Sequence, residues 1–270
     1  ERAGTPKLPT PPAAIMAVVA AVTLALGVVQ LIGGRVMEIQ TILKDGLAAL
    51  GLSTDCAEKL ERYGTALVEK NKVMNLTAIT DPAGVAQKHM LDCAAVLGAA
   101  ELDKKRVIDV GTGAGFPGLV LKICDGSIDL TLLDSLQKRV DWLAEISTEL
   151  DAPARTVHGR AEEFGREPEY REQFDVATAR AVADLRMLCE LCLPFVKVGG
   201  VFLAMKAGDC REELDAAGRC ITLLGGRLMK PYRYTIPGTD LTRQVIRIEK
   251  IAPTPEKYPR RFAKIQKAPL

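Results

Sequence analysis

Apolar residues at positions 39, 42, 43, 47 and 50 recur at helical spacing, and Gly51 closes the stretch. Ser53, Thr54 and Asp55 are residues that cap helices, so a second helix is predicted from there to about Lys72. Asn75-Leu-Thr-Ala-Ile-Thr-Asp-Pro82 breaks the pattern, and a third helix is predicted from about Pro82 to Ala100. From Arg106 the text alternates. Strand formers occupy 106–110, 128–133, 154–158, 173–179 and 200–206, and helical stretches occupy 117–124, 136–150, 184–193 and 210–224. Two strands, about 227–235 and 243–250, follow with no helix between them. Alternating strands and helices predict an α/β fold, a Rossmann-like parallel sheet with helices on both faces, closed by an antiparallel hairpin. The chain divides into a small helical unit over 37–100, the Rossmann-like domain over 101–252 and a basic tail over 253–270.

Ahead of these elements, residues 1–12 are proline-rich, and Ala13–Ile32 has only Thr23 and Gln30 as polar residues. As a helix that stretch spans ~30 Å, enough to cross a bilayer. Taken literally it is a membrane anchor or a signal sequence. Gly33-Gly34 stand just before Met37, where GGN-GGN codons can be a ribosome-binding site read as protein. Everything recognisable begins at Met37, so residues 1–36 are expected to be a mis-read leader on a cytoplasmic protein.

Charged residues make up 26% of the 270, which suits a globular chain rather than a disordered one. The net charge of +2 is carried by residues 1–36, where Arg2, Lys7 and Arg35 outweigh Glu1, so the chain from Met37 on is neutral overall. A nucleic-acid partner must therefore be argued from local charge. The seven cysteines, at 56, 93, 124, 189, 192, 210 and 220, have no framework spacing. Cys189-x-x-Cys192 falls on a predicted helix, with no second pair to complete a zinc site. Reduced apolar cysteines and no metal are expected.

The chemistry centres on Arg106-Val-Ile-Asp-Val-Gly-Thr-Gly-Ala-Gly-Phe-Pro-Gly118, a strand, a glycine-rich turn and a helix start. Gly113, Gly115 and Gly118 spell G-x-G-x-x-G, which alone fits NAD or FAD, S-adenosylmethionine or a purely structural turn. Gly113 offers close backbone approach to a ligand. Asp134 ends the second strand, where an acid meets a ribose diol or caps a helix. Gly159-Arg-Ala-Glu-Glu163 is a polar turn after the third strand, able to hold an adenine edge. Arg180 ends the fourth strand, on the sheet edge where ligands bind, and Lys206 is placed similarly after the fifth. His89 and Asp92 share one helix face, fitting a surface or interdomain hydrogen bond better than a metal pair.

These residues resemble the RsmG (GidB) family of small-subunit ribosomal RNA guanine-N7 methyltransferases. The likeness rests on Asn75-Leu-Thr, His89-x-x-Asp92, Asp109-Val-Gly-Thr-Gly-Ala-Gly-Phe-Pro-Gly118 and Leu133-Asp-Ser-x-x-Lys-Arg139. Arg160-Ala-Glu-Glu-Phe164, Arg180-Ala181, Tyr258-Pro-Arg-Arg and Lys267-Ala-Pro-Leu270 also fit. Cys93 stands where a serine is usual, and Phe262-Ala263 replaces a Pro-Gly type of tail. The resemblance implies a class I methyltransferase fold with S-adenosyl-L-methionine as cofactor. It places cofactor contacts at Gly111, Phe116, Ala161, Glu162 and Arg180, to which the residues themselves add Gly113 and Asp134. The partner it implies is 16S ribosomal RNA or the small ribosomal subunit, met by a monomer. The tail carries Arg260, Arg261, Lys264 and Lys267 with Tyr258 and Phe262 interleaved, a candidate RNA-binding strip. No catalytic acid or base is expected, because guanine N7 carries a lone pair and no proton. Two other classes compete: a Rossmann module that binds adenosine ligands or RNA without chemistry, and an NAD-dependent oxidoreductase. The intact glycine turn with Asp134 and Arg180 disfavours the first, and the two-strand ending with no Tyr-x-x-x-Lys disfavours the second.

Overall fold

The computed structural model describes residues 38–180 and 183–270. Residues 1–36, expected to be a mis-read leader, Met37, and Ala181 of the Arg180-Ala181 match lie outside the described residues. Among the described residues no helix is long and apolar enough to cross a membrane.

Eight strands form one sheet in the order β3-β2-β1-β4-β5-β8-β6, with β7 also on β8. β1 (Arg106–Val110), β2 (Asp129–Asp134), β3 (Arg155–His158), β4 (Phe174–Arg180) and β5 (Val196–Ala207) are parallel. β6 (Gly226–Leu228), β7 (Tyr232–Thr235) and β8 (Thr242–Lys250) run antiparallel, and β8 is inserted beside β5. The chain winds outward from β1 in one direction and from β4 in the other. The switch point therefore lies between β1 and β4, where a doubly wound sheet opens its ligand crevice. Arg106–Val110 is buried from its second residue on, as a central strand covered on both faces must be.

The predicted strand over 227–235 is two strands. Pro231 has no N–H to donate to the ladder, so pairing stops between β6 and β7, although Met229 still reaches the Arg247 carbonyl at 2.9 Å. The hairpin itself forms between β7 and β8.

The helical segments are 38–49, Ala57–Met74 and 82–98. Ser53, Thr54 and Asp55 do not cap the second of these. Its cap position is Cys56 without a side-chain bond, and the Ser53 hydroxyl is turned onto Asp55 at 2.9 Å. The segment 82–98 is capped by Asp81, whose carboxylate accepts from Gly84 N at 2.6 Å. It loosens into a π-helical turn over Ala86–Leu91, the stretch that carries His89. Such turns recur at functional sites because they re-aim side chains.

Two apolar layers cover the sheet. Leu43, Leu60, Leu67, Met90 and Val96 of the helical unit share one core with Leu119, Leu132 and Leu143. Ile108, Phe174, Leu188, Phe195 and Phe202 form the other. The tail does not hang free. Tyr258 and Ile265 are buried, and the Arg171 guanidinium donates to the Thr254 and Tyr258 carbonyls at 2.6 and 2.9 Å.

Candidate active site

β1 ends in a turn whose glycines take left-handed conformations that other residues rarely adopt. Gly111, Gly113 and Gly115 have φ of 69°, 60° and 88°. Asp109 is the anchor of this turn. Its Oδ2 accepts from the Thr112 hydroxyl at 2.6 Å and the Gly118 amide at 2.9 Å, and Oδ1 accepts from the Thr178 hydroxyl at 3.1 Å. Burial pushes its carboxyl up to about 6, against those three hydrogen bonds. A Cβ on Gly118 would stand 2.8 Å from the Asp109 Cβ, so only glycine lets the following helix start this close to β1.

The next two glycines differ in kind. A Cβ on Gly111 would meet nothing within 4 Å, and one on Gly113 would meet only the Gly111 carbonyl at 4.0 Å. The protein leaves open space above this backbone. Asp134 closes the cradle from β2: it accepts from Gly113 N and Leu136 N, each at 2.9 Å, with Arg139 at 3.6 Å. Ala161 and Glu162 sit half-exposed in a short helix beyond β3, and Gly159 N ties their turn to the Asp134 carbonyl at 3.0 Å. Leu136 is 42% exposed beside Asp134, an apolar side chain on the rim that periodicity had absorbed into the helix pattern. A turn with open space over two glycines, an acid at the neighbouring strand tip and an apolar rim fits a nucleoside-bearing cofactor.

Phe116, expected as a cofactor contact, turns its side chain inward. Its ring is buried, stacked on His89 at 4.9 Å, with Tyr63 at 5.4 Å and the Arg180 guanidinium 4.4 Å from its centroid. It is a platform for Arg180. Arg180 also donates to His89 Nδ1 at 3.2 Å. A guanidinium has donors only, so Nδ1 is the acceptor and the ring proton sits on Nε2, which donates to Thr77 Oγ1 at 2.7 Å. Burial, then the Arg180 charge, lowers His89 to about 4, so it is neutral at physiological pH. The chain Thr77–His89–Arg180 fixes the arginine from the helical unit. Thr77→Val leaves the Nε2–H unpaired and is expected to cost about 1–3 kcal/mol of stability, measured by urea denaturation. An unchanged midpoint would show that the bond carries nothing.

The predicted hydrogen bond from the His89–Asp92 face joins the helical segment 82–98 to the sheet and is not superficial, since the two residues are only 8% and 7% exposed. Tyr234 of β7 donates to Asp92 Oδ1 at 2.8 Å. Asp92, Arg180, Met205, Lys206, Tyr234 and Arg243 line a second pocket at the carboxyl ends of β4 and β5. Burial raises the Asp92 carboxyl, opposed by the Tyr234 bond and the Arg180 and Arg243 charges. Lys206 is committed elsewhere, to Glu213 at 2.6 Å and the Ala183 carbonyl at 2.7 Å, where it braces the loop after β4.

Arg260 does not face outward. It is bidentate to Glu190, at 2.8 and 2.6 Å, and its amide adds a third bond at 2.8 Å. Glu190 is fully buried and demands this partner. Arg261, Lys264 and Lys267 remain exposed. All seven cysteines are free, and no cluster of metal-binding side chains occurs among the described residues.

Residues 56–232 match the family model GidB, described as rRNA small subunit methyltransferase G. The chain belongs to this family. A ribosomal RNA small subunit methyltransferase G from Alkaliphilus metalliredigens is 47% identical over 238 residues, covering 87% of this chain and 100% of that protein. The protein of the same name from Symbiobacterium thermophilum is 46% identical, covering 85% of this chain and 97% of its own length. Among solved structures, a branched-chain polyamine synthase mutein from Thermus thermophilus has a TM-score of 0.51 at 14% identity. It covers 72% of this chain and 65% of that one, a likeness of fold alone. The class I methyltransferase architecture expected from the resemblance is present. Of the stretches that carried the resemblance, Asn75 turns the chain at φ 49°, Thr77 holds His89, and the Asp109–Gly118 turn meets Asp134 at the switch point.

Proposed function

We propose that this chain transfers the methyl group of S-adenosyl-L-methionine to N7 of a guanine in 16S ribosomal RNA. The observation that carries it is the open cradle over Gly111 and Gly113, closed by Asp134, in a chain of the GidB family. Gly111, Gly113, Asp134, Ala161, Glu162 and Arg180 would hold the cofactor, and Phe116 would hold Arg180. When bound, the cofactor supplies an electrophilic sulfonium methyl.

The side chains nearby are suited to positioning rather than proton transfer. N7 attacks through its lone pair, so no proton has to leave. His89 is neutral, and its one lone pair is engaged by Arg180. Burial pushes the Cys93 thiol up to about 12, so it is no thiolate. Asp109 is sealed and used up on the turn. His158 is exposed, with Nε2 on the Ser135 carbonyl at 3.2 Å. The chain's task is to hold the base in line at near-attack distance in a site that excludes water.

A pH profile tests this directly. Above about pH 7, His89 (lowered to about 4) stays neutral and Asp109 (raised to about 6) stays ionised. Single-turnover transfer of labelled methyl to undermethylated small-subunit RNA is expected to be flat from about pH 7 to about pH 8. His158→Ala is expected to stay within a few fold of wild type. A first-order rise in rate with pH, lost in a histidine or carboxylate variant, would show that a base takes part.

Arg261, Lys264 and Lys267 would contact the RNA backbone, and the substrate suits a cytoplasmic enzyme. The target base must stand unstacked before N7 is reachable.

A further inference from the structure

The pocket at the tips of β4 and β5 shares Arg180 with the proposed cofactor contacts, and its lining is otherwise its own. It is lined by Arg180, Arg243 and Lys206, yet Asp92 faces it too. The Arg180 and Arg243 charges favour the ionised form of Asp92 from a distance, but neither arginine forms an ion pair with it within 4.0 Å, and Lys206 is bound to Glu213. Its Oδ1 is held by the Tyr234 hydroxyl, which also reaches the Asp92 carbonyl at 3.2 Å. Among the described residues no donor reaches Oδ2. A carboxylate held at one oxygen and free at the other, half-stripped of water, is an acceptor waiting for donors.

We propose that Asp92 reads the Watson–Crick edge of the target guanine, accepting from its N1–H and 2-amino groups, while Met205 and Tyr234 flank the base. This rests on the proposed guanine methylation. Guanine alone among the RNA bases presents two adjacent donors on that edge. Adenine and cytosine each present a ring-nitrogen lone pair there, and uracil a single N–H between two carbonyls. A fixed carboxylate therefore rewards guanine and repels the other three, the two halves of specificity. Among the described residues the Arg243 guanidinium has the Thr242 carbonyl as its one hydrogen-bond partner, at 3.2 Å, which leaves donors to meet O6 or a phosphate.

The test is a cycle of base and side chain. The guanine methylated by the wild type is replaced by inosine, which keeps N7, O6 and N1–H and lacks the 2-amino group. In the wild type, inosine is expected to slow single-turnover transfer by about 10–150-fold, the worth of one hydrogen bond to a charged group. In Asp92→Ala and Asp92→Asn, guanine transfer falls and the inosine penalty shrinks, to under about 3-fold in the alanine variant. Cofactor affinity by calorimetry stays at the wild-type value in both, which shows that they are folded. A full inosine penalty in Asp92→Ala, no penalty in the wild type, or loss of cofactor binding in both variants would overturn the assignment. A wild type that methylates no guanine at all would instead overturn the function on which it rests.

Discussion

Gly113→Val is expected to abolish S-adenosyl-L-methionine binding while the domain stays folded. Gly113 has φ of 60°, a region in which a β-branched residue is strained by about 1–3 kcal/mol. The side chain would not strike protein, since only the Gly111 carbonyl lies as near as 4.0 Å to a Cβ there. It would project into the space kept for the ligand. The fold therefore loses a tolerable amount and the ligand loses its seat. Calorimetric titration should show affinity reduced more than about 100-fold, the combined effect of that strain and a steric block. Asp134→Ala is expected to weaken binding by about 10–150-fold, since it removes one acceptor of charge-assisted bonds and loosens the Gly113 amide that it holds. Wild-type affinity in either variant would remove this turn from the cofactor site.

The largest loss of stability is expected from Arg260→Ala. Glu190 is fully buried, and Arg260 supplies three of its hydrogen bonds. Removing the arginine strands a carboxylate in the core, a change worth about 3–5 kcal/mol. The tail keeps only its backbone bond from residue 260 to the helix Leu185–Cys192. Arg261→Glu, one residue on and exposed, is expected to leave the denaturation midpoint in place and to weaken RNA binding with a shallower salt dependence. Equal stability in the two variants would place Arg260 on the surface. An unchanged salt slope in Arg261→Glu would take the tail out of RNA binding.

These two arginines mark where sequence reading stops. A run of cations with interleaved aromatics reads as one strip, because charge is visible in a sequence and the partner of a charge is not. Glu190 stands 70 residues earlier, inside a helix whose pattern gives no reason to single it out. The same holds for Asp92 and Tyr234, 142 residues apart, and for the π-helical turn that aims His89 at Arg180. The sheet was legible because strand and helix periods differ and their alternation leaves few topologies. The cradle was legible because positive φ calls for glycine, a local demand written locally. Pro231 was equally local, and the break between β6 and β7 could have been read from it. Phe116 carried a motif position but no hint that its ring turns inward to support Arg180.

Nucleoside mass spectrometry of small-subunit ribosomal RNA bears most directly on the central claim. RNA from cells without this protein is incubated with the purified chain and methyl-labelled S-adenosyl-L-methionine, then digested. The structure and the family membership predict label in 7-methylguanosine alone, and none with Gly113→Val. Label in any other nucleoside, or none while the chain still binds the cofactor, would contradict it.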